Sequence, residues 1–332
     1  MPGQRFREMW RQLKLLRERG GDPRGDLLIV FYNSMFGAPL GLARFSGPEG
    51  VRFSGNRLRW RHADAVVFHI QYPLIDHMPT DKPHGQLWVA WAMESESNFP
   101  QLADPAYMSR FDLQMTYRQS ADVWVPYELE PDSEVIQRLR NPMAAPKSSD
   151  RLVASFISSS VDQSARIRYV TELGRQIEVH AYGKVGRNRF LAEDLGPTTK
   201  LEVVAGYKFT IAFENSIAED YVTEKFYEPL YAGSVPVYLG APNVAEFAPG
   251  AHSFIDVRDF ASLKDLAAYL LYLDLDDESY QAYHAWRQQP FLPAFEAKWE
   301  RRQKDGAAFE ALGRVVRSRT TGGQWQTRSI KT

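Results

Sequence analysis

The chain has 332 residues, enough for two domains of ordinary size, and its 44% hydrophobic and 24% charged residues are typical of a soluble globular protein. It contains no apolar run of about 20 residues and opens without a secretory apolar core, so neither a transmembrane helix nor a signal peptide is predicted. The lack of cysteine excludes disulfide and thiolate chemistry.

Charge is distributed unevenly along the chain. The formal net charge is −1, but residues 1–24 carry +4 and residues 298–332 carry +6, so the body between them carries −11. An acidic body argues against nucleic acid as the main partner. Residues 1–24 predict an amphipathic helix with arginines opposite an apolar face of Phe6, Met9, Trp10, Leu13 and Leu16. This helix either rests on an anionic membrane or packs on the first domain; we favour packing.

The first part of the chain predicts a parallel sheet. Short apolar runs separated by helical or irregular segments are typical of buried strands: Leu27–Tyr32, Ala65–Ile70, Leu87–Met93 and Val123–Val125. This alternation favours a parallel sheet with helices on both faces. Residues 140–150, RNPMAAPKSSD, are rich in proline, serine and alanine and are the best candidate for a linker.

The same pattern restarts after this linker. A strand is predicted at residues 152–157, a helix at 164–175, a strand at 177–181, and two more strands around Phe209–Phe213 and at Val235–Leu239. Residues 291–318 are expected to be helical and to cross back over the first domain, and Thr320–Thr332 to fray. The predicted domains are residues 1–145 and 150–290, followed by C-terminal helices and a tail over residues 291–332.

The helix between the last two strands carries the strongest chemical signal. Thr223 suits the N-cap, which puts Glu224 and Lys225 in the first turn, and Gly233 suits the position after the helix end. Unpaired N–H groups beside a lysine suit a diphosphate. The alternative is an ordinary strand-helix-strand unit with a charged first turn. Pro229 predicts a kink or a shifted helix start.

This region resembles a known enzyme family. FENSIAEDYVTEK (213–225) followed by AGSVPVYLG (232–240) resembles the signature of the α1,3/4-fucosyltransferases, glycosyltransferase family ten, which are inverting and use GDP-fucose. WVAWAMESESN (88–98), FDLQMTYRQSADVWVPY (111–127), SARIRYVTELGRQIEVHAYG (164–183) and SFIDVRDFASLKDLAAYLLYL (253–273) also resemble family segments, in the family's order. The resemblance implies the GT-B architecture, two Rossmann-like α/β domains facing across a cleft. Without cysteines, the chain looks like a cytoplasmic bacterial member.

The resemblance places the catalytic base at Glu94. The position is physically sensible because Glu94 follows a predicted strand, and open α/β sheets bind ligands at the carboxyl ends of their strands. One base acting in a single displacement would invert the anomeric carbon. Glu96, two residues on, is expected to contact the acceptor. The alternative is that both are solvated loop acids.

The donor side is expected to come from the second domain. Arg166 and Lys225 are the candidates for the diphosphate, with Arg168 as the control on the same helix. By resemblance, Glu224 accepts hydrogen bonds from fucose hydroxyls. Asn215, Tyr221 and Tyr182 are expected to line the donor site, Tyr182 near the nucleotide. Arg166, Lys225 and Glu94 are expected to surround one pocket.

No cofactor or metal is expected. The acidic run from Asp274 to Glu278 resembles the metal motif of other glycosyltransferases but follows a predicted helix end, so we interpret it as a solvated loop; the histidines lack ligand spacing. Ser159 and the pair Ser95-Glu96 depart from the usual family residues, which leaves the acceptor open among N-acetyllactosamine, lactose and an N-glycan core. The alternative function is a non-catalytic sugar-nucleotide or glycan-binding protein on the same scaffold.

Overall fold

The computed structural model describes residues 26–321 apart from residues 36–39, 41, 43–46, 71–77, 132, 144, 192, 194 and 195. The predicted amphipathic helix of residues 1–24 and most of the predicted frayed tail lie outside the described residues, and so do both of the proposed contacts of that helix. Among the described residues, no helix is long and apolar enough to cross a membrane.

The first sheet has six strands in the order β2-β1-β3-β4-β5-β6, and every neighbouring pair is parallel. The strands are β1 (Leu27–Phe31), β2 (Val51–Ser54), β3 (Ala65–His69), β4 (Leu87–Ala92), β5 (Leu113–Thr116) and β6 (Val123–Trp124). Four of them agree with the apolar runs in the sequence. β2 and β5 were not predicted, because each has only four residues and part of each strand is exposed to solvent.

The second sheet has five parallel strands in the order β11-β10-β9-β7-β8. They are β7 (Val153–Ser155), β8 (Val179–Ala181), β9 (Phe209–Phe213), β10 (Val235–Leu239) and β11 (Ile255–Asp256). The two central strands, β9 and β10, are buried along their whole length, as continuous apolar runs in a parallel sheet require.

Nine α-helices lie in the described residues: α1 (Pro105–Met108), α2 (Ser133–Arg140), α3 (Arg166–Leu173), α4 (Pro197–Ala205), α5 (Glu224–Ala232), α6 (Leu263–Leu275), α7 (Asp277–Ala282), α8 (Pro293–Asp305) and α9 (Ala308–Thr321). Short 3₁₀ turns span Arg57–His62, Pro100–Ala103, Ser149–Arg151, Val244–Glu246, Val257–Asp259 and Ala285–Gln288. Helix α5 begins at Glu224 as predicted, so Pro229 inside it does not shift its start.

The last two helices connect the two sheets. Helix α9 packs on the first sheet, where the Phe309 ring lies 5.0 Å from that of Phe31 and the side chains of Leu312 and Val316 are fully buried. Helix α8, which precedes it, buries Arg302, whose guanidinium donates to the carbonyls of Trp124, at the end of β6, and Leu129, which follows β6. The chain therefore returns to its first sheet after completing the second.

The segments after β4 and β9 meet where the carboxyl ends of the two sheets face each other. The Ser95 and Ser216 hydroxyls lie 2.6 Å apart, and Asn98 Nδ2 donates to Asn215 Oδ1 at 3.1 Å. Carboxyl ends of parallel strands are where open α/β sheets bind ligands. The fold therefore brings two such edges into contact.

Leu312→Ala should lower the free energy of unfolding by about 2–5 kcal/mol, because a fully buried leucine loses its contacts and leaves a cavity. Urea unfolding followed by tryptophan fluorescence measures the change. Ser318→Ala, on the exposed side of α9, is the matched control and should change stability by less than about 0.5 kcal/mol. Equal destabilisation by both variants would show that burial of α9 does not hold the first sheet.

Candidate active site

Glu94 lies at the junction of the two domains. It follows β4 in the first domain, and its Oε2 accepts hydrogen bonds from Asn98 Nδ2 at 2.7 Å and from the Tyr221 hydroxyl of the second domain at 2.9 Å. In the part of the chain that the structure describes, no hydrogen bond reaches Oε1. One carboxylate oxygen is therefore oriented by the protein, and the other is available to a ligand.

Tyr221 is held rigidly between aromatic rings of the first domain. Its ring lies edge-on to Tyr117 at 5.0 Å and to Tyr127 at 5.9 Å, and its side chain is buried. Burial first, and then the nearby Tyr127 and Glu94, raise the pKa of Tyr221 far above its ordinary value. The hydroxyl therefore keeps its proton and can act only as a donor toward Glu94.

Glu96 is not a freely solvated acid. Its carboxylate pairs with the Arg118 guanidinium and accepts a hydrogen bond from the Tyr117 hydroxyl at 3.3 Å. Glu94 and Glu96 line a common cavity of about 220 Å³ with Tyr117 and Arg118, backed by apolar side chains of β4 and α1. The two acids therefore lie at one cavity, and the acceptor contact of Glu96 stays a prediction.

The start of α5 carries a compact group of charges. Thr223 caps the helix as predicted, because its side chain accepts from Lys225 N at 3.4 Å. The Lys225 ammonium lies 2.8 Å from Glu224 Oε1 and 3.4 Å from Oε2 of Glu214. Glu214 is completely buried and also accepts from the N–H and the hydroxyl of Thr223, each at 2.8 Å.

The two carboxylates beside Lys225 have opposite pKa shifts. Burial raises the pKa of Glu214, although the ammonium of Lys225 opposes the shift. Burial would also raise the pKa of Glu224, but Lys225 and then Lys200 outweigh it and lower that pKa. Burial likewise opposes a charged Lys225, yet Glu214 and Glu224 raise its pKa. The ammonium at the helix start is therefore kept charged by its neighbours.

Arg166 lies at the first position of α3, after Ala165, whose φ of +59° is in the left-handed region. Its side chain is only 2% exposed, and its terminal nitrogens donate to the carbonyls of Phe213, Ser159 and Val161 at 3.1–3.3 Å. Its buried Nε has no hydrogen-bond partner among the described residues. Burial lowers the pKa of Arg166, against the attraction of Glu214. One guanidinium donor is therefore left without a partner among the described residues, and it is shielded from solvent.

Arg166 and Lys225 line one small cavity of about 20 Å³, together with Lys200 of α4 and Phe156. Glu94 lines the larger cavity of the first domain, and neither of these two cavities of the described residues is lined by all three side chains. That Arg166, Lys225 and Glu94 surround one pocket stays a prediction. Tyr221 of the second domain reaches Glu94 through its hydroxyl. Arg168 is exposed, and its guanidinium lies over the Tyr169 ring.

Two other predicted donor residues have different surroundings. Asn215 sits beside Glu94's partner, because its Oδ1 accepts from Asn98. The Tyr182 hydroxyl bonds the Tyr207 hydroxyl at 2.7 Å, and the Tyr182 ring stacks on Phe156 at 5.0 Å. Tyr182 therefore supports the wall of the cation-lined cavity through Phe156, and it is not among that cavity's lining residues.

Sequence analysis missed Glu214, Lys200 and Asn98. Glu214 had a usable signal, because it directly follows β9 as Glu94 follows β4. Lys200 and Asn98 had none, since an isolated lysine on a helix and an asparagine in a turn are common. Their importance depends on contacts between segments that are distant in sequence.

The acidic run from Asp274 to Glu278 spans the end of α6 and the start of α7. Asp274 was expected to be solvated, but its carboxylate is largely buried and lies 2.9 Å from Lys208 Nζ. Asp276 caps α7 by accepting from Ser279 N at 3.1 Å. Among the described residues, no group of three or more His, Cys, Asp or Glu side chains is arranged to hold a metal ion.

Comparison with solved structures identifies the fold. A solved α1,3-fucosyltransferase aligns with a TM-score of 0.60 and 17% identity over 95% of this chain and 94% of its own. A second, solved with GDP-fucose, aligns with a TM-score of 0.57 and 15% identity over 92% and 93%. At such identities the likeness is one of fold. The two facing parallel α/β domains have the GT-B fold, as predicted.

Sequence comparison then gives the family. The family description "Glycosyltransferase family 10 (fucosyltransferase) C-term" matches residues 146–321, and "Fucosyltransferase, N-terminal" matches residues 25–128. The chain belongs to this family of fucosyltransferases, which confirms the resemblance of its motifs. The 3-galactosyl-N-acetylglucosaminide 4-alpha-L-fucosyltransferase of Bos taurus is 36% identical over 282 residues, 81% of this chain and 74% of that protein. The human 4-galactosyl-N-acetylglucosaminide 3-alpha-L-fucosyltransferase is 36% identical over 274 residues, 79% and 70%.

Glu214→Gln and Glu224→Gln should change the pH dependence of stability with opposite signs. The raised pKa of Glu214 means that its contribution to stability is full below the unfolded pKa, about 4.3, and is lost as the pH rises. The lowered pKa of Glu224 means that its contribution is present above about 4.3 and lost as the pH falls. Relative to the parent, Glu214→Gln should gain stability as the pH rises, and Glu224→Gln should be the less stable variant near neutral pH.

Urea unfolding of the three proteins at a series of pH values between about 4 and about 8 measures both trends. If Glu214→Gln instead lost stability relative to the parent as the pH rose, the attraction of Lys225 would exceed the cost of burial, and the pKa of Glu214 would be lowered rather than raised.

Proposed function

We propose that this protein transfers L-fucose from GDP-fucose to the 3-hydroxyl of GlcNAc or glucose in an oligosaccharide acceptor, with inversion and without a metal ion. Family membership supports fucose transfer. Named 3- and 4-transferring relatives support the acceptor class, and a solved relative with GDP-fucose supports the donor. The observation that carries the proposal is Glu94, whose carboxylate is oriented across the domain junction while its Oε1 is unbonded within the described chain.

In the proposed step, Glu94 acts as the general base. Its carboxylate removes the proton of the acceptor hydroxyl while that oxygen forms a bond to the anomeric carbon of fucose. The bond between this carbon and the phosphate oxygen breaks, and GDP leaves with the electron pair. Attack opposite to the leaving group converts the β-linked donor into an α-fucoside. The proton ends on Glu94 and is later lost to solvent.

The leaving diphosphate needs positive charge as its bond breaks. Lys225 supplies an ammonium that its neighbours keep charged, and Arg166 supplies the positive charge of its buried guanidinium. Both line the same cavity. These cations take the part that a metal ion has in other transferases, so the proposed reaction needs no cofactor.

The other predicted residues position the sugars. Glu224 is proposed to accept hydrogen bonds from fucose hydroxyls, and Asn215 and Tyr221 to border the fucose from the side of Glu94. Tyr182 supports the nucleotide side through Phe156. Glu96, held by Arg118 in the 220 Å³ cavity, is proposed to contact the acceptor sugar.

Glu94→Gln should reduce the transfer rate by about 10² or more while leaving GDP affinity unchanged, because an amide cannot take the acceptor proton. Radiolabelled transfer to N-acetyllactosamine, lactose and an N-glycan core measures the rate, and calorimetry measures GDP binding. Glu202→Gln, at an exposed position of α4, is the matched control and should behave as the parent. Equal transfer by Glu94→Gln and the parent would remove Glu94 from the base role.

If the parent protein binds GDP-fucose but transfers fucose to none of these acceptors and to no member of a wider glycan screen, the alternative of a non-catalytic binding protein replaces this proposal.

Lys225→Ala should weaken GDP-fucose binding by a factor of about 10 or more, because a desolvated charge near the diphosphate is removed. Arg168→Ala should change the affinity less than twofold, since Arg168 is exposed beside Tyr169. Titration calorimetry of both variants tests the assignment. A larger loss for Arg168→Ala than for Lys225→Ala would contradict it.

A further inference from the structure

Asp220, which directly precedes Tyr221, has an unusual backbone and dense contacts. Its φ of +64° lies in the left-handed region, which is uncommon for residues other than glycine. Its side chain is nevertheless buried, and it holds residues of both domains. A strained backbone that is kept in a buried, fully bonded position is a reason to look for a function there.

The Asp220 carboxylate is hydrogen-bonded to Gln119 of the first domain. Its Oδ2 accepts from the backbone N–H of Gln119 at 2.9 Å, and its Oδ1 accepts from Gln119 Nε2 at 2.6 Å. Gln119 lies between β5 and β6 of the first sheet, whereas Asp220 lies between β9 and α5 of the second. Two charge-assisted hydrogen bonds from one residue fix both the distance and the rotation between the segments.

Asp220 and Gln119 are each held by further hydrogen bonds. In the second domain, Asn243 donates to Asp220 Oδ1 at 3.0 Å and accepts from Asp220 N at 2.9 Å. On the first-domain side, the Gln119 carbonyl accepts from Arg301 of α8 at 2.8 Å. Asp220 and Gln119 are therefore each fixed to their own surroundings, and a shift between the domains would strain the hydrogen bonds between them.

We propose that Asp220 is a positioning residue that keeps the Tyr221 hydroxyl on Glu94 by holding Gln119 of the first domain. Asp220 and Tyr221 are adjacent in sequence, so a shift of Asp220 also moves Tyr221. Tyr221 in turn orients the Glu94 carboxylate through its 2.9 Å hydrogen bond. Asp220 itself touches neither reacting sugar, and the inference rests on the proposed role of Glu94 as the base.

Asp220→Gly removes the hydrogen bonds to Gln119 without adding backbone strain, because glycine adopts positive φ freely. It should lower kcat at least tenfold and leave the Kd for GDP, measured by calorimetry, within twofold of the parent. Gln119→Ala, which removes the side-chain partner from the other domain, should give the same split with a smaller loss. Asp220→Asn, which tolerates the left-handed backbone and keeps part of the hydrogen bonding, should retain more activity than Asp220→Gly.

Combination with Tyr221→Phe distinguishes positioning from general stability. If Asp220 acts through Tyr221, Asp220→Gly should lower kcat much less in the Tyr221→Phe background than in the parent, because the hydrogen bond it serves is already absent. Hydrogen exchange of the Gln119 amide, followed by mass spectrometry, should be faster in Asp220→Gly than in the parent.

Unchanged kcat in Asp220→Gly, a parallel loss of GDP affinity, or multiplicative effects of the two substitutions would each overturn the inference. A parent that does not transfer fucose would instead refute the proposed function. In that case the exchange rate of the Gln119 amide would still report whether Asp220 joins the domains, and unchanged exchange would overturn that contact as well.

Discussion

The hydrogen bond from the Tyr221 hydroxyl to Glu94 is the contact on which the candidate site depends. It joins residues 127 positions apart and belongs to both domains at once. Because burial keeps Tyr221 protonated, the hydroxyl always donates, and the carboxylate always presents the same oxygen to it. Each sheet could form its own site edge without the other. Only this contact and its neighbours join Glu94 of the first domain to the second domain at this point.

The charges at the start of α5 show how a buried carboxylate and a neighbouring lysine stabilise each other. A fully buried carboxylate such as Glu214 is costly unless it is paired and hydrogen-bonded. Glu214 meets both conditions through Thr223 and Lys225. The same low dielectric that makes the group costly strengthens the attraction between Glu214 and Lys225. The buried acid therefore helps to keep the Lys225 ammonium charged.

The returning C-terminal helices explain how the relation between the domains is maintained. Arg302 of α8 is buried against the carbonyls of Trp124 and Leu129, and Arg301 donates to the Gln119 carbonyl. Helix α9 then packs on the first sheet through Phe309 and Leu312. A segment that follows the second domain thus braces the loop of the first domain that Asp220 contacts.

The sequence by itself determined the buried strands and the residues at their ends. Runs such as Leu87–Ala92 and Val235–Leu239 are recognisable because a strand covered on both faces must be continuously apolar. Glu94 follows such a strand and Lys225 follows a helix cap, so local rules and family motifs found both. The short strands β2 and β5 lack that continuous pattern, and their pairing partners are distant in sequence.

Only the tertiary structure decided what these residues touch. It placed Glu94 in the cavity of Glu96 and Tyr117, and it brought Lys200 to Arg166 and Lys225 from another helix. It also buried Glu214. Hydrogen bonds, ion pairs and desolvation depend on distances across the folded chain, which no local pattern contains. The physical reason is that hydrophobic periodicity and secondary-structure propensity are properties of one segment, whereas the site is formed by contacts between segments that are distant in sequence.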